Sequence, residues 1–227
     1  MPGPSRIALS LCLAALTLGI AACGGDDDET ATATSTSVPS TTSSVPEGDS
    51  HFDPSSGQAE GLDFDERLGT EPGDLAALDL TEAAAAADCD AQLDLRDEGN
   101  THIPANQQTD YETTPPNSGG HDEVPLADGA YLTEPDPRYF VHSLEHGRVV
   151  IAYQPDLPED DQLALKGLLD SDPDGLILIP YTDMPYDVAA VAWQNLLGCD
   201  SYDADVLAAL AAFRDEFRGQ GPEDIPI

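Results

Sequence analysis

Basic residues are scarce in this chain: 8 Lys and Arg stand against 44 Asp and Glu in 227 residues, a formal net charge of −36. Phosphate backbones are gripped by the opposite sign, so nucleic-acid binding is excluded. Cysteine is scarcer still, at 4, and no two form a Cys-x-x-Cys pair, which argues against thiol–disulfide exchange catalysis. The acids are scattered and never take calcium-loop spacing, so a solvated, self-repelling surface explains them better than cation capture. No Ser sits in a Gly-x-Ser-x-Gly elbow. The longest uncharged apolar run, Ile7 to Ile20, is too short to cross a bilayer comfortably.

That run has another use. Arg6 precedes it and Ala21-Ala22 follow, so residues 1–22 predict an export signal. Ile20-Ala21-Ala22-Cys23, followed by Gly24-Gly25, resembles a bacterial lipobox. The resemblance implies that Cys23 carries lipid (palmitate) and holds the mature protein on the outer face of the cell membrane, as a multiply acylated Cys would. Residues 23–74 then read as a disordered tether: 30–46 are almost entirely Thr, Ser, Ala, Val and Pro, and acids follow. His51 falls in this tether and receives no role. The folded domain is expected over 75–227, with its body between about 85 and 222. Cys89 and Cys199 remain as an even pair in an oxidising compartment, where a disulfide is their simplest use.

The expected fold is α+β, a single domain with a small mixed β-sheet, a C-terminal amphipathic helix and long ordered loops in its first half. Arg148 to Tyr153 predicts a buried strand. Asp156 and Glu159 predict a helix start, with Asp156 as N-cap and the helix running to about Asp170. Leu176 to Pro180 predicts the next strand, completing a parallel crossover. Val188 to Trp193 is another, with Trp193 read as core. Asp203 starts the last helix, whose Val206, Leu210, Phe213 and Phe217 form one apolar stripe closed by Arg218 and Gly219.

The histidines carry the chemistry. Of 5 in the chain, the four outside the tether are His102, His121, His142 and His146, set among Pro, Gly and carboxylates. Imidazole is the commonest metal ligand and a general base near neutral pH. His142-x-x-Glu145-His146 matches the string of inverted zinc peptidases, which needs both His on one helix face. The flanks favour a hairpin instead: Tyr139-Phe140-Val141 is aromatic and β-branched, and Gly147 breaks the run. Tyr139–Leu144 would be one strand, with Glu145 turned away from His142 and His146. Glu216 is a distant third-ligand candidate, but one acid among so many is a weak match. The loop Thr113 to His121 is stiffened by Pro115-Pro116 and freed by Gly119-Gly120, so it can deliver His121 to a set point.

These pieces, His102-Ile-Pro, Tyr111, Pro115-Pro116-x-Ser118-Gly119-x-His121, Gly129-x-Tyr131 and Val141 to Gly147, resemble the DUF3105 family of uncharacterised bacterial proteins. Trp193 and the closing Arg218 to Glu223 fit as well, so the resemblance spans about 89–223. Family loops more often read Ser-Gly-Pro-His followed by an aromatic; here Gly120 and Asp122 stand in those places. The resemblance implies a domain that is exported or membrane-tethered, and no activity.

Three readings follow. The first is a metal-binding domain with His102, His121, His142, His146 and Glu145 around copper or zinc. The second is an interaction module that meets a cell-envelope protein and uses the His cluster as scaffold. The third, ranking behind both, is a hydrolase with a His base and Ser118 or Ser143 as nucleophile.

Overall fold

The computed structural model describes residues 62–75, 77–104 and 106–227. The expected signal peptide, Cys23, His51 and most of the expected tether lie outside them. In chain order the elements are α1 (Leu80–Ala86), β1 (Asp90–Gln92), β2 (Gly129–Ala130), α2 (Pro137–Glu145) and β3 (Val149–Tyr153). They continue with α3 (Glu159–Ser171), β4 (Leu176–Pro180), β5 (Val188–Ala192), β6 (Asn195–Cys199) and α4 (Ala204–Phe217). The strands form one open mixed sheet in the order β1-β6-β5-β3-β4-β2. β3 and β2 both run parallel to β4, while β3–β5, β5–β6 and β1–β6 are antiparallel. This is the α+β domain expected from the sequence, with β3–α3–β4 as its parallel crossover.

Every residue of β3, β4 and β5 is buried, which requires cover on both sheet faces. The two-residue side-chain period sorts them into two cores. Val149, Ile151, Leu176, Leu178, Val188 and Ala190 pack with α1, α3 and α4. Val150, Ala152, Ile177, Ile179, Ala189 and Val191 pack on the other face with Phe140, Val141 and Leu144 of α2. Trp193, 6% exposed, belongs to this second core as expected. α2 is therefore alone among the helices on its face, roofed by the long loops between β1 and α2.

Three local expectations are corrected. The hairpin over 139–153 is instead α2 followed by β3, for reasons given below. Among the described residues, the tight hairpin of the sheet joins β5 to β6 through Trp193-Gln194. Asp156 does not cap α3: the cap residue is Pro158 without a side-chain bond, and Glu159, Asp160 and Asp161 meet the positive helix end instead. Thirdly, residues 62–70, at the close of the expected tether, lie on the domain. Phe64 bridges Tyr131, Asp65 N donates to Ala130 O at 2.8 Å, and Thr70 N to Leu163 O at 2.8 Å. At the other end α4 begins as expected, with Asp203 accepting from the amides of Asp205 and Val206.

Cys89 and Cys199 are bonded across 110 residues, tying the end of α1 to β6. In the chain-entropy model, closing so long a loop removes about 5 kcal/mol of entropy from the unfolded chain. Reduction is expected to lower the guanidinium unfolding free energy by about 2–5 kcal/mol, read as a shift in midpoint with and without reductant. Coincident transitions would show that the bond contributes no stability.

Candidate metal centre

α2 forms despite its aromatic and β-branched start because both ends are capped. The Asp136 carboxylate accepts from Arg138 N at 3.0 Å, and Pro137 occupies the first turn, where its missing N–H costs nothing. At the far end Gly147 takes φ +79°. Gly147 N then donates to Leu144 O at 2.9 Å, and Arg148 N to Ser143 O at 3.0 Å. These are the two bonds of a Schellman stop. Asp136-Pro137 is the start signal the sequence reading leaves unused, and Gly147, which looks there like a break in a strand pair, is the helix stop. The helical period puts His142, Glu145 and His146 on neighbouring rows of one face, where a strand would have split them.

The loops supply the rest. Gly119, at φ +117°, packs against the Tyr111 ring, whose hydroxyl donates to Gly120 O at 2.8 Å. So Gly120, the departure from the family pattern, is held through its carbonyl. Residues 99–103 lie alongside: Gly119 N donates to Gly99 O, His121 N to Thr101 O and Ile103 N to His121 O. His102 and His121 thus pair across a parallel bridge. Residues 122–126 then follow α2. Asp122 O accepts from His142 Nδ1 at 2.8 Å, and Ser143 Oγ exchanges bonds with both the N and O of Leu126.

His102, His121, His142 and Glu145 converge, with one potential ligand atom from each lying within 4.8 Å of all the others. Two nitrogens on a tetrahedral zinc ion stand about 3.4 Å apart, so inward shifts of about 1 Å or less at each ligand close the site. His121, His142 and Glu145 are 0%, 4% and 1% exposed, whereas His102 is exposed. It lines a cleft of about 340 Å³ with Ile103, Pro104, Asp122 and Glu123. His146 stands outside this group of four. Its Nε2 is 3.0 Å from His142 Nε2 and 3.3 Å from Glu223 Oε2.

One contact inside the group is unusual. His121 Nδ1 is 2.8 Å from Gly119 O, and a carbonyl only accepts, so Nδ1 carries the proton. In neutral imidazole that leaves Nε2 as a bare lone pair. It lies 3.0 Å from Glu145 Oε2, and both atoms are buried without a hydrogen-bond partner. An added proton on Nε2 does not point along the contact well enough to make a bond. The four residues can hold a metal ion.

Residues 102–225, more than half of the chain, match the family described as protein of unknown function DUF3105. The chain belongs to this family. No curated protein and no solved structure matches it. The DUF3105 region begins at His102 and includes all four histidines, Glu145 and Glu223.

The helix removes the ground on which the sequence argument set the peptidase string aside, but the geometry still disfavours it. A peptidase base must meet water and substrate at an open face, and Glu145 is sealed against His121. Nor is either Ser placed as a nucleophile: Ser143 Oγ donates to Leu126 O, and Ser118 Oγ accepts from Glu98 N at 3.1 Å with its side chain buried. Glu216 lies in α4, outside the converging group.

Burial pushes His142 and His146 down to about 4, with His146 adding to the effect on His142 and Arg148 to that on His146. Both are then neutral in the fold, whereas in the unfolded chain they take protons near 6.5. Stability from this source is complete above about pH 6.5 and is lost as pH falls toward 4. The chelator-treated protein is expected to lose about 2 kcal/mol or more between pH 7 and pH 5. Urea midpoints across that range test this. An equally steep loss in a His142→Asn/His146→Asn variant would place the dependence elsewhere.

Proposed function

We propose that this DUF3105 protein is a lipid-anchored extracytoplasmic domain that binds one copper or zinc ion through His102, His121, His142 and Glu145. The observation that carries the metal reading is the buried pair of acceptors, His121 Nε2 and Glu145 Oε2, 3.0 Å apart and without hydrogen-bond partners. A cation bound to both relieves their repulsion and offsets the burial of the carboxylate. Three imidazoles and one carboxylate suit either metal. The backbone carbonyls on His121 Nδ1 and His142 Nδ1 are the outer partners that metal-binding histidines use to present Nε2. Asp122 and Glu123 at the cleft favour the approach of a cation.

The anchoring half rests on the lipobox at Cys23 and on the disulfide, which belongs to an oxidising compartment. Among the described residues no helix is long and apolar enough to cross a membrane.

Purified protein dialysed against copper or zinc is expected to retain about one ion per chain, and His121→Ala and His142→Ala to lose it. The single Trp, Trp193, stands edge-on to His121 with ring centroids 6.4 Å apart, so it reports the metal directly. Bound Cu(II), a paramagnetic ion, quenches its fluorescence strongly; closed-shell zinc leaves most of the emission. A parent protein that retains neither ion sinks the metal reading and leaves a structural cluster on an envelope interaction module. A Cys23→Ala variant recovered wholly with the membrane would remove the lipid anchor.

A further inference from the structure

His142 offers an ion only one nitrogen. Its Nδ1 donates to Asp122 O, so Nε2 holds the lone pair. That lone pair is already used. His146 Nε2 lies 3.0 Å away in a hydrogen-bonded contact, and since His142 Nε2 has no proton to give, His146 Nε2 carries it and donates to His142. The same Nε2 has a second acceptor, Glu223 Oε2, at 3.3 Å. Glu223 is placed there by the end of α2 itself, because its amide donates to Glu145 O at 3.1 Å. One N–H thus stands between two acceptors, one inside the candidate site and one at its partly exposed edge.

We propose that His146 is a gate on His142 and not a ligand: it occupies the His142 lone pair in the metal-free protein and turns to Glu223 when an ion takes that lone pair. This rests on the metal reading above. No proton changes owner; one N–H exchanges a neutral acceptor for a carboxylate. The exchange is favourable because charged acceptors form the stronger bonds. Glu223 is then a positioning residue that acts only through His146. The device keeps His142 hydrogen-bonded when no metal is present and releases it without stranding a buried donor.

The full chain would be titrated with zinc against a chromophoric chelator. His146→Ala removes the competitor, and its affinity is expected to rise about three- to tenfold. Glu223→Ala removes the second acceptor, and affinity is expected to fall about threefold or more. Glu223→Gln, whose amide oxygen still accepts but carries no charge, is expected to recover only part of that loss. His146→Ala/Glu223→Ala is expected to match His146→Ala alone, since nothing remains for Glu223 to act on. Loss of zinc in His146→Ala while the parent binds would make His146 a ligand and overturn the gate alone. A parent that binds no zinc overturns the metal reading and the gate together. Imidazole nitrogen NMR on metal-free protein adds a readout independent of folding in the variants. Protons on His142 Nδ1 and His146 Nε2 support the gate; a proton on His142 Nε2 overturns it.

Discussion

Glu145 and His121 meet where solvent cannot screen them, with a carboxylate oxygen 3.0 Å from an imidazole nitrogen and both side chains essentially inaccessible. An isolated buried carboxylate is costly enough that the surroundings must compensate it. Much of the local architecture is the apparatus for holding those two atoms in place. The helix stop at Gly147, the loop turn at Gly119 and the Tyr111 clamp on Gly120 each fix backbone within a few residues of the pair. Relaxing the contact would mean unpicking the helix end or the loop, and both are hydrogen-bonded to neighbouring chain.

Backbone carbonyls do the chemical selection. Gly119 O and Asp122 O each take one ring proton, so His121 and His142 both turn an unprotonated Nε2 toward the cluster. Carboxylate acceptors in those places would add negative charge to an already acidic protein and would themselves titrate. A carbonyl fixes the tautomer across the pH range over which the ring remains neutral. The loops are therefore as much part of the site as the histidines, which explains why a segment so poor in regular structure is so thoroughly bonded.

What the sequence revealed depended on whether local signals competed. β3, β4 and β5, the crossover and the α4 stripe were legible because continuous apolar runs and a 3.6-residue period had no rival interpretation, whereas β1, β2 and β6 carried no such run and were not read as strands. The four histidines were legible as a group because the chain uses so few. α2 was misread because two valid signals conflicted. Tyr139-Phe140-Val141 favours a strand by side-chain preference, while Asp136-Pro137 and Gly147 favour a helix by backbone chemistry. Caps prevailed because a nine-residue helix needs its ends satisfied, and its apolar residues pack on the sheet equally well from a helix. The contact of Glu223 with His146 was not legible at all. It lies 77 residues beyond His146, and only the return of the chain past α4 brings it there.

The helix also changes what the His-x-x-Glu-His string means. On a strand Glu145 would face away from the histidines and the motif would be accidental. On α2 its carboxylate is turned inward to His121, while His146, one residue on, reaches the edge and Glu223. Consecutive residues thus serve opposite sides of one boundary, with a sealed carboxylate within and a hydrogen-bonding imidazole at the rim. His102 occupies the other rim on its own loop and is exposed. On the proposed metal reading, a site with buried ligands at its floor and exposed or exchangeable groups at two edges suits an ion that arrives and leaves. A purely structural ion would call for closure on every side, and the exposed His102 imidazole leaves one side within reach of solvent.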